Sequence, residues 1–279
     1  MACPGRVAGR CPRGAGEAVA RLAIIGGTGF ETPGPWAADW QAEQVRTRFG
    51  PVEVLVGQVE GEAVVFLSRH GPQHRLPPHR IPYRANIEAL RLLGVRRVAA
   101  TAAVGALRED LRPGQVVVLD QFIDLTRQRD LTWFDGDEVA HTDFTEPYCS
   151  ELRRALWECA CEQGLDVRDG GCYVGVDGPR YETAAEVRAW RLLGGDVVGM
   201  TGLPEAVLAR EAGLCYGVLA VVTNPGAGLA ASPLSHQEVS AAMERLRLPV
   251  ARALVAALLR LPREPGCRCS GAGRGGDGG

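Results

Sequence analysis

Residues 82–105, PYRANIEALRLLGVRRVAATAAVG, decide the class of fold. The first half begins with proline and stops at Gly94, as helices commonly do. From residue 96 the stretch becomes a run of small and β-branched apolar residues of strand length. A helix followed directly by a buried strand is a building unit of layered α/β proteins. This stretch therefore predicts an α/β fold.

The same alternation continues on both sides of this stretch. Further strands are predicted at 21–25, in a hairpin over 52–68, and at 115–124, 172–176, 196–200 and 216–223. Further helices are predicted at 148–163, 182–193, 204–212 and 235–261, the last with a possible bend at Pro249. The pattern indicates helices packed on a mostly parallel sheet, and no internal repeat interrupts it.

The two ends of the chain differ in composition from the centre. Residues 1–20 and 262–279 are rich in Gly, Arg and Pro, so they are predicted to be disordered tails around one domain at 21–261. No apolar run approaches eighteen residues, and the N-terminus has no apolar stretch of signal-peptide type. We therefore expect no membrane span and no secretion signal.

The chain contains no lysine: all 31 of its basic residues are arginine. A Walker-type phosphate loop, a pyridoxal Schiff base and a serine–lysine nucleophile pair each need an amine, so these chemistries are excluded. Any anion must instead be bound by guanidinium groups, backbone N–H groups and hydroxyls. The net charge of −2 indicates no particular partner, and no basic run interleaved with aromatics suggests nucleic-acid binding.

The nine cysteines are odd in number, and no two CxxC pairs stand at zinc spacing. Cys3 and Cys11 near one end and Cys267 and Cys269 near the other could suggest a metal cluster. Their surroundings do not resemble a zinc knuckle. The sequence therefore favours reduced thiols, a cytoplasmic protein and no metal.

Ligands in layered α/β folds bind where strands end. Five such segments carry unusual residues: GGTG (26–29), SRHGPQHR (68–75), TAAVGAL (101–107), GMTGLPE (199–205) and TNPGAG (223–228). The first could be a phosphate-binding loop or a plain glycine turn. It is not GxGxxG, which disfavours a dinucleotide site. Arg69 and His70 at a strand end suit a small oxyanion such as phosphate, although a solvated strand end would look the same.

Three other polar features allow a simple structural explanation as well as a functional one. His70, His74 and His79 lack the HExxH spacing, and nearby prolines prevent a helix, which disfavours zinc. SHQE at 235–238 is a capping box that places His236 in the first turn of a helix, where it could contact a ligand or water. Glu182 stands at a helix start, where the helix dipole alone favours a carboxylate.

Taken in order, eight segments resemble the purine nucleoside phosphorylase family, in its methylthioadenosine phosphorylase branch. They are IIGGTGF, LSRHGPQH, YRANIEALRLLGV, TAAVGALRE, DQFIDLT, GPRYETAAEVR, GMTGLPEAVLAREAGLCY and TNPGAG. The resemblance spans residues 21–259. It implies a three-layer phosphorylase fold with a mostly parallel or mixed twisted sheet, a homotrimer, and cleavage of a nucleoside by phosphate to base and ribose 1-phosphate. It implies no metal and no organic cofactor, since phosphate is a co-substrate.

The resemblance also assigns residues to the phosphate and sugar. It places the phosphate among Thr28, Arg69, His70, Ala102, Ala103 and Thr201, which agrees with a lysine-free anion site. Relatives have Thr or Asn at the position of Ala102, so a side-chain contact is missing there. Met200 corresponds to a residue against the ribose. His141 corresponds to one that reaches into the neighbouring subunit's site.

Three positions address the identity of the nucleoside. Methylthioadenosine enzymes have Asp at the positions of Asn224 and Gly226, which with Pro225 form the turn against the substrate. A neutral amide donates to purine N7 as negative charge grows there and tolerates a 6-oxo group. Glu182 matches a Glu of 6-oxopurine enzymes and would accept the N1–H that adenine lacks. His236 matches a residue that binds the ribose 5′-hydroxyl.

These positions together predict phosphorolysis of inosine and guanosine, with Asn224 as the catalytic residue. The alternatives are a methylthioinosine or methylthioadenosine phosphorylase of the same family. A nucleoside hydrolase would use water in place of phosphate. A trimeric scaffold with a decayed site would release no purine.

Overall fold

The helix and strand predicted from residues 82–105 are α1 (Tyr83–Leu92) and β5 (Arg97–Ala106) of a computed structural model that describes residues 21–34, 38–135, 140–229 and 236–271. The remaining helices are α2 (Ser150–Glu162), α3 (Ala184–Leu192), α4 (Gly202–Glu211) and α5 (His236–Arg260). Ser235 and most of the two predicted tails lie outside the described residues.

The strands form one mixed sheet. In chain order they are β1 (Leu22–Gly26), β2 (Ala38–Thr47), β3 (Gly50–Val59), β4 (Glu62–Ser68), β5, β6 (Val116–Val118), β7 (Gln121–Asp124), β8 (Val167–Asp169), β9 (Cys172–Gly175), β10 (Val197–Gly199) and β11 (Cys215–Pro225). The main path runs β2-β3-β4-β1-β5-β10-β9-β7, while β11 pairs with β5 and continues through β6 to β8. Strand β5 is parallel to β1 and β11 and antiparallel to β10.

Helices cover both faces of this sheet, as a three-layer fold requires. Alternate residues of β5 point to opposite faces. Val98, Ala100 and Ala102 belong to the core that α1 and α4 complete, whereas Ala99 belongs to the core that α2 and α5 complete. The predicted α/β fold class is therefore confirmed. None of the described helices is both long and apolar enough to cross a membrane.

The hairpin over residues 52–68 forms as predicted, whereas β2, β8 and the strand predicted at 115–124 differ from the sequence interpretation. Strands β2 and β8 are additional. The single strand predicted at 115–124 is two strands, because β6 pairs with β11 while β7 pairs with β9, so the chain changes partners at residues 119–120. The helix predicted at 235–261 forms as α5, one 25-residue helix that contains Pro249.

Residues 262–271 also differ from the prediction, which placed them in a disordered tail. Glu264 forms a 2.7 Å ion pair with Arg21, and Arg263 forms one of the same length with Glu62. Cys269 is buried and packs in the core of α2 and α5. Composition missed this because the few residues that anchor the segment are cysteine and charged residues scattered among Gly and Pro.

Candidate active site

A cavity of about 360 Å³ opens where β1 and β4 end, along the last residues of β5 and β11, and beyond the ends of β9 and β10. Its walls are formed by Thr28, Arg69, His70, His74, Pro78, Ala103, Val104, Gly105, Val176, Pro179, Tyr181, Glu182, Val198, Gly199, Met200, Thr201, Thr223, Asn224 and Val239. A larger surface cleft of about 580 Å³ lies beside Arg108, Asp110 and Arg191 and is lined by none of the predicted residues. The smaller cavity is therefore the candidate site.

One end of the cavity gathers the predicted anion ligands. Thr28 follows β1, Arg69 and His70 follow β4, and Thr201 follows β10. Because these strand ends meet at one edge of the sheet, side chains far apart in sequence converge there. The resulting donors are one guanidinium, hydroxyls and backbone N–H groups, which suit a small oxyanion.

Arg69 is fully buried and held by Glu205 of α4. Its Nε donates to Glu205 Oε1 at 2.5 Å and its Nη2 to Oε2 at 2.8 Å, while Nη1 donates to the Thr101 carbonyl at 2.9 Å. Burial opposes the charge, but the attraction of Glu205 raises the pKa of Arg69 above its ordinary value. A guanidinium has five N–H donors, so two remain for a ligand in the cavity. Tyr216 Oη donates to Glu205 Oε2 at 2.7 Å and completes the pair.

His70 enters the site as a neutral ring. Burial lowers the pKa of His70 to about 4, against the hydrogen bond to the Leu76 carbonyl, which favours the charged form. Its Nδ1 lies 2.8 Å from that carbonyl, which can only accept, so Nδ1 carries the proton. Nε2 is therefore an acceptor, able to receive a hydrogen bond from a protonated phosphate oxygen.

His74 packs against His70. The two rings are stacked with centroids 4.0 Å apart, and His74 Nδ1 lies 3.2 Å from Glu31 Oε1. Burial raises the pKa of Glu31, but the hydrogen bonds from His74 and from the backbone N–H of Gly29 act together against it and bring the pKa to about 2. Glu31 Oε1 also accepts from the N–H of Gly29 at 2.8 Å, which ties the loop after β1 to the loop after β4.

Thr201 is the N-cap residue of α4, but its hydroxyl makes no hydrogen bond to that helix. Its N–H and that of Gly202 both donate to Tyr173 Oη at 3.1 Å, so Tyr173 replaces the usual side-chain cap of α4. The Thr201 side chain makes no capping bond and lies on the cavity wall. It can therefore donate to an anion.

Asn224 and Glu182 form the opposite wall, on either side of Gly105. A methyl group at Gly105 would lie 3.2 Å from Asn224 Nδ2 and 3.7 Å from Glu182 Oε1, so the glycine leaves the space between them open. A register shift in β11 between Val222 and Asn224 lets both Thr223 and Asn224 line the cavity. The two polar groups predicted to hold a base are thus side by side.

Hydrogen bonds set the orientation of both groups. Asn224 Oδ1 accepts from Thr223 Oγ1 at 2.9 Å, and Nδ2 donates to the Pro225 carbonyl at 2.9 Å. The second hydrogen of Nδ2 remains for a ligand. Glu182 Oε1 accepts from the N–H of Ala227 at 3.2 Å, which leaves Oε2 as an acceptor. Glu182 precedes α3 rather than starting it, because Thr183 is the N-cap in a capping box with Glu186.

Most predicted site residues line this cavity: Thr28, Arg69, His70, Ala103, Glu182, Met200, Thr201 and Asn224. Ala102 does not. Its methyl group is buried in the core on the face of α1 and α4, and β5 contributes its later residues, Ala103, Val104 and Gly105, to the cavity. Pro225 and Gly226 lie behind the wall, where the Gly226 N–H donates to the Ala106 carbonyl at 2.7 Å and fixes the turn.

Two predicted histidines lie apart from these residues. His141 is exposed and does not line the cavity of its own chain. His236 is the first residue of α5, and its side chain lies outside the described part of the structure. Both assignments remain predictions.

Sequence reasoning missed several residues of the site. His74, Tyr181, Thr223 and Val239 line the cavity, and Glu205 holds Arg69. His74 stands four residues after His70 in the same segment, and this spacing is the signal that places it at the site. No local sequence pattern indicates the role of Glu205, because its partner Arg69 is 136 residues away in sequence.

The strand ends of this α/β domain carry donors that suit an oxyanion, and the same cavity has one amide and one carboxylate that can bind a base. This combination is the architecture of an enzyme that acts on nucleosides with phosphate. The chain belongs to the phosphorylase superfamily, whose family model matches residues 21–260.

Three similar proteins agree with this assignment. A 6-oxopurine nucleoside phosphorylase of Pyrococcus furiosus is 48% identical over 92% of this chain and 99% of its own. An S-methyl-5′-thioadenosine phosphorylase of Thermofilum pendens is 41% identical over 90% of this chain and 96% of its own. A crystal structure of a methylthioadenosine phosphorylase from an antarctic soil metagenomic library superposes with a TM-score of 0.82 at 34% identity, covering 92% of this chain and 91% of that one.

Proposed function

We propose that this protein cleaves 6-oxopurine nucleosides, inosine and guanosine, with inorganic phosphate, releasing the purine base and ribose 1-phosphate. The observation that carries this proposal is the pairing of the Asn224 amide with the Glu182 carboxylate across Gly105, opposite the anion pocket of Arg69. The relative from Pyrococcus furiosus bears the name of the same activity.

The reaction follows from the geometry. Phosphate binds among Thr28, Arg69, His70 and Thr201 and is itself the nucleophile. As the bond between C1′ and the purine nitrogen N9 breaks, its electron pair passes to the purine ring, and a phosphate oxygen forms the new bond to C1′. The sugar becomes oxocarbenium-like between them and is stabilised by the phosphate anion. Positioning and electrostatics carry the rate, and no metal or organic cofactor takes part.

The base is held by the opposite wall. Asn224 Nδ2 donates to N7, where negative charge develops, and its orientation is set by Thr223 and the Pro225 carbonyl. Glu182 accepts the N1–H of a 6-oxopurine. A neutral adenine has no hydrogen on N1, so it would place a lone pair against the Glu182 carboxylate.

A second candidate is phosphorolysis of 5′-methylthioinosine. Val239 of α5 lines the cavity and offers an apolar contact that a thioether could use. The predicted role of His236, one turn earlier in α5, favours a 5′-hydroxyl instead. Two relatives are named for methylthioadenosine, which has a 6-amino group, and the Asn224 and Glu182 pair argues against that base.

We infer further that the working form is a homotrimer and that His141 serves the neighbouring subunit's site. In its own chain His141 is exposed and outside the cavity, which is consistent with a role across an interface. We place the reaction in the cytoplasm, because the cysteines of the described part of the chain form no disulfide.

One panel of reactions tests the substrate. Base release is measured from inosine, guanosine, adenosine, methylthioinosine and methylthioadenosine, each with and without phosphate. We expect inosine and guanosine to react fastest and only with phosphate. Equal rates with and without phosphate would establish a hydrolase. If no base were released from any nucleoside, the protein would be non-catalytic. A preference for methylthioadenosine would overturn the roles of Asn224 and Glu182 together.

A further inference from the structure

Four cysteine sulfurs meet at the end of the sheet opposite the active site. Cys149 precedes α2, Cys215 begins β11, and Cys267 and Cys269 belong to the C-terminal segment. Their Sγ atoms all lie within 4.8 Å of one another, and those of Cys215 and Cys267 are 3.3 Å apart. Cys215 and Asn224 are nine residues apart on one strand, so this cluster is about 30 Å from the base wall.

The cluster is buried. Cys149, Cys215 and Cys269 are each at most 3% exposed, and Cys267 is half-buried. Buried thiols pack well as small apolar groups, so proximity and burial alone do not distinguish a core cluster from a ligand site. The charged side chains around the sulfurs help to distinguish the two.

Two buried arginines lie near the sulfurs, and one of them, Arg97, has no carboxylate partner among the described residues. Arg97 is 1% exposed, and its Nε and Nη2 atoms make no hydrogen bond there. It stands opposite Cys215 in the register of β5 and β11, so both side chains lie on the same face of the sheet. Its Nη1 donates to the carbonyl of Arg263, in the segment that carries Cys267 and Cys269, at 3.4 Å.

Arg210 approaches the cluster from α4. It is 8% exposed, and its Nη1 lies 3.5 Å from Cys269 Sγ. Its Nε donates only to the backbone carbonyl of Asp143, at 3.2 Å. A buried cation is costly unless an anion is close. The Asp143 carboxylate lies near enough to Arg210 to interact with its charge, whereas Arg97 has no such carboxylate among the described residues, so negative charge on the sulfurs would compensate Arg97.

We propose that Cys149, Cys215, Cys267 and Cys269 bind one divalent metal ion of the zinc type as a structural site that fastens the C-terminal segment to the sheet. Four thiolates around a divalent ion leave two negative charges, which Arg97 and Arg210 balance. Two disulfides would be neutral and would leave Arg97 uncompensated. Zinc–sulfur bonds of about 2.3 Å place tetrahedral sulfurs about 3.8 Å apart, so the observed spacing needs shifts of about 1 Å or less.

The spacing of these cysteines explains why the sequence did not predict the site. Cys267 and Cys269 are separated by one residue rather than two, and Cys149 and Cys215 come from different elements far along the chain. No linear zinc motif results. The cysteines considered with Cys267 and Cys269 from sequence were Cys3 and Cys11, which lie outside the described residues.

The test measures metal on the full chain purified anaerobically without chelator or thiol reductant. We expect about one zinc per chain by elemental mass spectrometry, and an intact mass with no disulfide. After zinc removal, added Co²⁺ should give the visible absorption of a tetrahedral tetrathiolate site. Less than about a tenth of an equivalent of metal, or a mass four protons lower from two disulfides, would overturn the proposal.

Variants then locate the site. Cys215→Ser with Cys269→Ser should lower the metal content at least about tenfold. Two controls should keep it: Cys161→Ser, an exposed cysteine outside the cluster, and Cys3→Ser with Cys11→Ser. Loss of metal in the Cys3 and Cys11 variant would also overturn the proposal. The wild-type measurement stands even if the cluster variant does not fold.

Discussion

On our proposal, the side-chain amide of Asn224 selects the base. Its NH₂ group would donate to a purine nitrogen that gains negative charge, whereas an aspartate oxygen at the same place would repel that charge. The neighbouring Thr223 hydroxyl holds the amide with its oxygen turned away from Glu182. The proposal therefore makes the choice of base depend on whether residue 224 donates or accepts a hydrogen bond.

Replacing Asn224 tests this choice. Asn224→Asp should lower kcat/KM for inosine about a hundredfold, the scale of one transition-state donor, while the activity on adenosine rises relative to inosine. Steady-state kinetics with both nucleosides measure the ratio. Gln58→Glu, the same amide-to-acid change at an exposed residue of β3, is the control and should leave the ratio unchanged. An unchanged ratio in Asn224→Asp would contradict the role.

His70 gives the fold a pH dependence. Its pKa is about 4 in the folded chain, against an ordinary value of 6.5 that we take for the unfolded chain. Between these two values the unfolded chain binds a proton that the folded chain does not. The free energy of unfolding should therefore fall as the pH drops from 6.5 to 4, by about 3 kcal/mol from this residue. His70→Asn keeps a donor for the Leu76 carbonyl and should remove that part of the slope.

Urea unfolding between pH 7 and pH 4, in phosphate-free buffer at constant protein concentration, measures this dependence. The control is His79→Asn, an exposed histidine, which should keep the wild-type slope. A slope that survives in His70→Asn would show that other groups carry it.

At the scale of elements, the site depends on where strands end. Sequence patterns located those ends well, because β1, β4, β10 and β11 all stop near the predicted positions. Residues just after β1, β4 and β10 line the cavity, and so do Thr223 and Asn224 near the end of β11. The side chain of Ala102 lies in the core rather than on the cavity wall, and the all-apolar run of β5 does not reveal from sequence which of its residues pack on each helical layer.

Partners from distant elements could not be predicted at all. Glu205 on α4 is bound to Arg69 after β4, and Tyr173 on β9 replaces the cap of α4. Both contacts arise only when helices pack on the sheet. Local propensity therefore predicts elements and their ends, but tertiary packing decides which charged groups meet.

The Arg69–Glu205 pair supports a prediction about how α4 serves the site. Glu205→Gln leaves a buried cation without its counter-charge and should cost about 3 kcal/mol or more of unfolding free energy. It should also raise KM for phosphate while KM for inosine changes little, because the guanidinium loses the fork that positions it. Arg69→Met combined with Glu205→Gln should cost less than the sum of the single changes.

Chemical denaturation and phosphate kinetics measure these effects. Glu109→Gln is the matched control, since it breaks a 2.8 Å ion pair with Arg191 at the surface. It should change stability by about 1 kcal/mol or less. Strict additivity of the Arg69 and Glu205 variants would contradict the coupling.

At the scale of the whole molecule, the two ends of the sheet have different roles. The ends of β1, β4, β10 and β11 hold the cavity, while the opposite end of β5 and β11 carries Arg97 and Cys215 and receives the C-terminal segment. A domain anchored at one end can leave the loops at the other free to adapt to ligand. Function in this fold is therefore completed by loops and, on our proposal, by a second subunit.

Subunit mixing tests that last step. If His141 of one chain completes the site of the next, His141→Ala and Asn224→Ala damage each site through different chains. In a ring assembled from equal amounts of both variants, about a quarter of the sites combine an intact Asn224 with an intact His141 from the neighbour. Co-expressed or co-refolded mixtures should therefore recover activity on inosine toward about a quarter of wild type, above the mean of the two parents. If His141 serves its own chain, every site contains one defect and the mixture stays at that mean.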